Sequence, residues 1–320
     1  MLKWKKILGD ACLERYNHLN SYLKNKFGKR TLKICIDGNF TCPNRDGSKG
    51  KGGCIFCGSL GAGENIKGRT HECIQSILSQ VNGFLNSYRG DRAESFVAYF
   101  QSFSGTYDSV ENLKLKYDTA LSVSPKIVGL EVATRPDLLS DDIINLLKSY
   151  MPKYYVCVEL GLQTSNDSIG KKINRCYSTQ DFVESAKKLK ENGIDVVAHV
   201  MVGLPDETLE DVLNTIDLLN ECKVNGIKIH NTYVLKDTKL NNLYSAGKYE
   251  PISMEYYSDV VCKIISRLNK DIIIHRITGD PPKDSLVAPE WASHKKLILN
   301  AIQKKLNEEN IFQGDKKWKK

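Results

Sequence analysis

Tyr154-Tyr155-Val156-Cys157-Val158-Glu159-Leu160, a helical pattern over 179–192, then Val196-Val197-Ala198-His199-Val200-Met201-Val202: this stretch decides the fold class. Two short apolar runs rich in β-branched residues read as strands, and the segment between them has helical spacing. The same alternation extends outward in both directions. Upstream lie Thr31-Leu32-Lys33-Ile34-Cys35-Ile36-Asp37, a helix near 71–88, Phe96-Val97-Ala98-Tyr99-Phe100 and a helix near 109–122. Ile127-Val128-Gly129-Leu130-Glu131-Val132 and a helix near 140–149 complete that side. Downstream come a helix near 207–221 and Gly226-Ile227-Lys228-Ile229-His230. Continuous apolar strands separated by helices imply an α/β fold with parallel strands covered by helices. Six strands fall between Leu32 and His230, whereas a closed barrel of this kind needs eight. A six-stranded partial barrel is expected, with a doubly wound sheet as the alternative.

Three units follow from this reading. Residues 1–28 form an N-terminal helical segment. In it Ile7 and Leu8 precede Leu13, Tyr16, Leu19, Tyr22 and Leu23 at helical spacing, and Gly28 closes it. Residues 29–235 form the barrel. Residues 236–320 form a C-terminal α/β extension, with helices near 254–268 and 290–308 and a short strand Ile272-Ile273-Ile274-His275. The ending Lys316-Lys317-Trp318-Lys319-Lys320 reads as a basic tail.

Composition narrows the function classes. With 26% charged and 41% hydrophobic residues the chain is neither disordered nor membrane-spanning, since no apolar run approaches the ~18 residues a spanning helix needs. The basic start Met1-Leu2-Lys3-Trp4-Lys5-Lys6 is not followed by a secretory pattern, so a soluble, cytoplasmic chain is expected. A net charge of +8 permits an anionic partner such as nucleic acid without requiring one. Ten cysteines in such a chain do not read as a disulfide framework. Seven are scattered, and isolated cysteines usually serve as small buried hydrophobes.

The other three are Cys42, Cys54 and Cys57. They lie in the loop after the first strand, within Thr41-Cys42-Pro43-Asn44-Arg45-Asp46-Gly47 and Gly52-Gly53-Cys54-Ile55-Phe56-Cys57, and seven glycines fall from Gly47 to Gly63. A loop this long in a compact domain points to function. The spacing Cys-x11-Cys-x2-Cys brings thiolates together for a metal or cluster. Zinc would want a fourth ligand, for which Cys35 and His71 are the nearby candidates. An iron–sulfur cluster would keep one iron open. Spacing alone leaves both readings standing.

Position adds weight to the second. In parallel α/β folds chemistry sits at the C-terminal ends of strands. The cysteine loop leaves the first strand there. Gln101 follows the second strand, Thr134-Arg135-Pro136-Asp137 the third, Gly161-Leu162-Gln163-Thr164 the fourth and Gly203-Leu204-Pro205-Asp206-Glu207-Thr208 the fifth. Each has an ordinary reading as a turn or a buried ion pair. Their convergence on one rim does not.

These motifs carry a resemblance. Together with Tyr99-Phe100-Gln101, Glu159-Leu160-Gly161-Leu162-Gln163, His199-Val200-Met201-Val202-Gly203-Leu204-Pro205, Lys228-Ile229-His230 and Arg276-Ile277-Thr278-Gly279-Asp280, they resemble radical S-adenosylmethionine (SAM) enzymes. The similarity is to the YhcC-like subgroup related to the Elongator catalytic subunit, and it runs through most of the chain. Two departures from the commonest pattern are visible: the loop is longer than Cys-x3-Cys-x2-Cys, and Gln101-Ser102-Phe103-Ser104 stands where Gly-Gly-Glu is usual.

The resemblance implies a partial (βα)6 TIM-like barrel in which Cys42, Cys54 and Cys57 bind a 4Fe–4S cluster. The open iron would chelate SAM, whose cleavage releases a 5′-deoxyadenosyl radical. It implies that Gln101, Glu159, Gly161 and Gln163 contact the methionine and ribose, and that the backbone at Gly203 and Leu204 meets adenine. It further implies action on the tRNA wobble uridine, converting 5-carboxymethylaminomethyl-(2-thio)uridine to the 5-aminomethyl form. Lys228, His230, Arg276 and Arg135 are candidates to grip the carboxylate, with His199 structural or close to SAM. Expected partners are tRNA, an electron donor such as flavodoxin or ferredoxin, and a downstream SAM-dependent methyltransferase; no membrane partner is expected. Two other functions remain in view: a radical enzyme on a small molecule, similar to coproporphyrinogen oxidase, and a non-catalytic zinc-containing RNA-binding module.

Overall fold

The computed structural model describes residues 14–61, 63 and 66–316. The helical positions expected at Ile7, Leu8 and Leu13, and the basic tail at 317–320, lie outside the described residues. Helix α1 (Leu19–Phe27) leads to β1 (Thr31–Ile36), followed by α2 (Cys73–Leu85), β2 (Ser95–Phe100), α3 (Val110–Ser122), β3 (Ile127–Thr134), α4 (Asp141–Tyr150) and β4 (Tyr155–Gln163). The second half runs α5 (Asp167–Lys172), α6 (Thr179–Glu191), β5 (Asp195–Val202), α7 (Leu209–Glu221), β6 (Gly226–Asn231), β7 (Val234–Leu235) and α8 (Lys239–Ser245). It ends with α9 (Met254–Arg267), β8 (Ile273–Arg276), β9 (Leu286–Ala288) and α10 (Lys295–Glu308). Helix starts are set locally: Ser178 with Asp181 and Thr208 with Asp211 form capping boxes on α6 and α7.

The six expected strands pair in chain order, all parallel. A seventh joins them. β8, expected as an isolated strand of the C-terminal extension, pairs parallel with β6, Gly226 opposite Ile273. The sheet therefore crosses position 235. β7 and β9 form a separate antiparallel ribbon.

The sheet curls on itself. Lys33 of β1 and His275 of β8 belong to its two outermost strands, yet Nζ and Nδ1 are 3.1 Å apart. The gap between those edges is covered by the chain entering α1. There His18 forms a parallel bridge with Ile274, and the Ile274 N–H donates to the Asn17 carbonyl at 2.8 Å. Otherwise the β8 edge would leave backbone groups unpaired.

The strands are not uniformly apolar. Ile34 and Ile36, Phe96, Ala98 and Phe100, and Val156, Val158 and Leu160 belong to the main apolar core. Residues at the alternate positions face the barrel interior. There stand Lys33 and Cys35, Tyr99, Glu131, Glu159, His199, Lys228 and His230. The barrel is apolar outside, beneath its helices, and polar inside.

Candidate active site

The cysteine loop leaves the C-terminal end of β1 and is held mainly by polar contacts to its backbone carbonyls. Arg45 and Asp46 donate their backbone N–H groups to the Cys42 carbonyl at 2.8 and 3.2 Å. The Arg45 guanidinium donates to the carbonyls of Cys57 (2.9 Å) and Gly58 (2.5 Å). Asn174, in the left-handed region after α5, donates to the Gly53 and Lys51 carbonyls at 2.8 and 3.2 Å. At Gly53 φ is +74°, and an added Cβ would lie 3.1 Å from Arg45 Nε, so a side chain there would crowd the arginine that ties the loop. Asn44 donates to Cys54 Sγ at 3.7 Å. Burial pushes the Cys54 thiol up to about 12, and its neighbours Cys57 and Cys42 push the same way. A positive metal centre reverses that balance and holds thiolates there.

The sulfurs fit a cluster better than one zinc ion. Thiolates about 2.3 Å from a single tetrahedral ion stand ~3.8 Å apart. Among the described residues no three cysteine sulfurs lie within 4.8 Å of one another. A cubane, which puts each thiolate on its own iron, accepts the wider spacing.

Above the barrel interior, beside this loop, lies a cavity of about 390 Å³. The structure brings Cys57, Gln101, Gln163, Lys228, His230 and Arg276 to its wall. Gln163 is oriented from behind: the Tyr177 hydroxyl lies 2.8 Å from Gln163 Oε1 and donates to the Gly161 carbonyl at 3.1 Å. Gly161 makes room for that contact, since an added Cβ would sit 2.7 Å from Gln163 Nε2 and 2.9 Å from the Tyr177 hydroxyl. The Gln163 amide thus offers its NH₂ group to the cavity.

Other expected site residues lie elsewhere. Gly203 and Leu204 line a second cavity of about 220 Å³. Leu204 packs in the small apolar cluster that includes Ile55 of the cysteine loop. The N–H groups of Gly203 and Leu204 donate to Glu207 Oε2 at 2.8 and 3.2 Å. Arg135 does not reach the main cavity. Its guanidinium takes both Asp137 oxygens at 2.9 Å and the carbonyls of Arg175 and Cys176 at 3.1 Å, which leaves it no donor pair for a substrate carboxylate.

Glu159 is likewise not presented to a ligand. It is 1% exposed, and both oxygens are taken. Oε1 accepts from Lys33 at 3.1 Å. Oε2 is approached by Lys228 at 2.5 Å, by His199 Nε2 at 2.6 Å and by the Tyr99 hydroxyl. Lys228 also donates to Tyr99 at 2.9 Å. Burial alone would raise the Glu159 carboxyl, but Lys228 and Lys33 outweigh it and hold the group well below the usual carboxylate range. Glu131 behaves in the opposite way. Burial pushes it up to about 8; Lys33 opposes that and the nearby Glu159 adds to it. Glu131, Glu159 and His275 bring ligand atoms within 4.8 Å of one another, as at a metal site. The Lys33 ammonium occupies that place, 2.5 Å from Glu131 and 3.1 Å from each of the other two.

Sequence reasoning missed Lys33, Tyr99, Glu131 and His275 because they lie scattered in strands that read as apolar. It missed Asn174, Arg175 and Tyr177 because the α5–α6 connection carries no motif. Arg175 is fully buried and donates to the Leu162 and Thr164 carbonyls at 2.6 Å, fixing the turn that presents Gln163. The only hint in the sequence was a charged residue inside each of several strands.

A curled parallel barrel with three cysteines in a glycine-rich loop at its C-terminal rim defines a class of cofactor-bearing barrel enzymes. Comparison with known proteins gives the family. The profile of the Radical SAM superfamily matches residues 51–219, and that of the Radical_SAM C-terminal domain matches 224–308. The chain belongs to the radical SAM superfamily. It is 36% identical to the Bacillus subtilis protein YtqA over 301 residues, covering 94% of this chain and 92% of that protein. It is 31% identical to Escherichia coli YhcC over 296 residues, covering 92% of this chain and 93% of that protein. Elongator complex protein 3 of Dictyostelium discoideum is 30% identical over 240 residues, 72% of this chain but 41% of that protein. In fold the chain resembles the archaeal Methanocaldococcus infernus Elp3, with a TM-score of 0.64 at 17% identity over 88% of this chain and 64% of that one.

Family membership makes the protein a radical SAM enzyme whose cofactors are a 4Fe–4S cluster and SAM. It sets aside the reading as a non-catalytic zinc module. Among the described residues no helix is long and apolar enough to cross a membrane.

Proposed function

We propose that this enzyme acts on tRNA, converting 5-carboxymethylaminomethyl-(2-thio)uridine at the wobble position to 5-aminomethyl-(2-thio)uridine. When bound, the cofactors supply a 5′-deoxyadenosyl radical that abstracts a hydrogen atom from substrate. The proposal draws on the resemblance to the YhcC-like subgroup and on partial similarity to Elongator complex protein 3. One observation in the structure supports it most. The Arg276 guanidinium lines the main cavity and has no hydrogen-bond or ion-pair partner among the described residues. Lys228 and His230 line the same wall, with Lys228 already bonded to Glu159 and Tyr99. A cavity holding an unpaired guanidinium suits an anionic ligand such as the carboxylate of this modified base.

In this reading Cys42, Cys54 and Cys57 hold the cluster, and Gln101 and Gln163 hydrogen-bond the methionine end and ribose of SAM. Arg276 orients the carboxymethyl group. Phosphate contacts supply RNA affinity, and the wobble base is turned out into the cavity. A flavodoxin- or ferredoxin-type donor supplies the electron, and a separate methyltransferase uses the product.

The test is anaerobically reconstituted protein with tRNA carrying the precursor base. Aminomethyluridine and 5′-deoxyadenosine are expected together, with the precursor lost. Cleavage of SAM with no change in the tRNA would remove the substrate assignment and leave the enzyme class in place.

A further inference from the structure

We propose that His199 is the proton-transfer group of the main cavity, working through Nδ1, with Glu159 as the residue that positions it. The inference rests on the substrate reading above for its chemistry, and on geometry for its residues. His199 stands on β5, at the cavity wall. Its Nε2 lies 2.6 Å from Glu159 Oε2. An ionised carboxylate can only accept, so the proton sits on Nε2 and the lone pair on Nδ1. Among the described residues Nδ1 has no hydrogen-bond partner, and it is not one of the sealed orphan atoms of the interior. It is left to the cavity.

Glu159 cannot turn away. Lys33, Lys228 and Tyr99 hold it from β1, β6 and β2, so the ring bonded to it is fixed as well. The ring also packs against His230, centroid to centroid 5.3 Å. A ring held at one nitrogen by a locked carboxylate, with the other nitrogen open, is the arrangement a general base or acid needs. Taking a proton at Nδ1 makes the ring a cation, and Glu159 offsets that charge.

The charged and titratable groups around His199 are Glu159 on β4, Lys228 and His230 on β6, Arg276 on β8 and Tyr99 on β2. Burial lowers the His199 pKa; Glu159 opposes this, while Lys228 and Arg276 add to it. The free ring is therefore neutral at neutral pH. The ligand class that uses such a group is a secondary amine cleaved by hydrolysis: the carbon radical left by hydrogen abstraction would give one electron back to the oxidised cluster and become an imine, water would add to that carbon as Nδ1 takes its proton, and the carbon–nitrogen bond would break to release glyoxylate as Nδ1 returns the proton to the leaving nitrogen. The carboxymethyl-bearing amine of the proposed substrate is of that class.

Two measurements decide the proposal. With precursor tRNA, His199→Gln should lower the ratio of aminomethyluridine to 5′-deoxyadenosine at least about tenfold, at the low end of what a general acid or base contributes. Added imidazole should restore part of the ratio to His199→Gly. Glu159→Gln removes a charge that raises the ring's pKa, so the acid limb of the pH profile should move to lower pH. An unchanged ratio and pH profile in His199→Gln would overturn the proposal. The second measurement is nitrogen NMR of the folded full chain without substrate. A bare Nδ1 and protonated Nε2 on His199 support the dyad, and a proton on Nδ1 overturns it. If the wild type forms no aminomethyluridine, the substrate reading falls, and the NMR result alone decides the dyad.

Discussion

The cysteine loop and the barrel interior lie next to each other and are built on opposite principles. The loop is stretched over glycines and tied mainly through backbone carbonyls, by Arg45 and Asn174. Its three sulfurs contribute little to its shape. The interior is tied by charge. Two lysines, two glutamates, a tyrosine and two histidines from seven strands converge on Glu159 and Lys33. A site that must take up a cluster takes its shape mainly from its backbone. A site that must hold an imidazole in one orientation makes the positioning group part of the structure itself.

That contrast can be broken by substitution, and the cysteines give the largest effect. Cys42→Ser, Cys54→Ser and Cys57→Ser should each remove the iron and sulfide of anaerobically reconstituted protein and abolish activity. For Cys42→Ser, the cluster-free chain should keep its urea-unfolding free energy within about 1 kcal/mol, because the loop is tied there through the Cys42 carbonyl. Serine variants that retain iron and full activity would sink the account of the loop.

The interior should respond in the reverse sense. Glu159→Ala strands two buried ammonium groups, and breaking a buried pair this way costs about 3–5 kcal/mol. Urea unfolding of the cluster-free variant measures it. A loss below about 1 kcal/mol would mean the network is ornamental to stability.

A further effect is one of pH. The unfolded chain releases the Glu131 proton near 4.5 and the folded chain at about 8. Unfolding therefore releases a proton across that window, and this group's contribution to stability, complete below pH 4.5, is lost as pH rises toward 8. Glu131→Gln removes the dependence. Its melting temperature relative to wild type should climb between pH 5 and pH 8. A difference that stays flat over this range would show that Glu131 is ionised in the folded protein. Glu207, also pushed up to about 8 by burial, is present in both proteins and cancels.

The alternation of strand and helix was legible from residue 31 to 231 because each element announces itself locally, by its apolar period and its caps. The cysteine loop was legible because glycine density and Cys-x2-Cys spacing are local as well. Gln101, Gln163, Lys228, His230 and Arg276 were legible as positions near strand ends, and the fold brings them to one wall. Glu159 and Arg135 were misjudged as ligand contacts. Nothing in a sequence shows that four donors close on one carboxylate, or that Asp137 and two carbonyls use up one guanidinium. The seventh strand was visible as a strand, but not as a partner of β6.

The chain order alone thus determined a parallel α/β barrel carrying three cysteines at its rim, since those depend on neighbours within a few residues. Only the tertiary structure decided that the barrel is polar inside, where Lys33 sits as its internal cation and which nitrogen of His199 is free. These are contacts between residues as many as 242 positions apart, and they exist only once the sheet has curled.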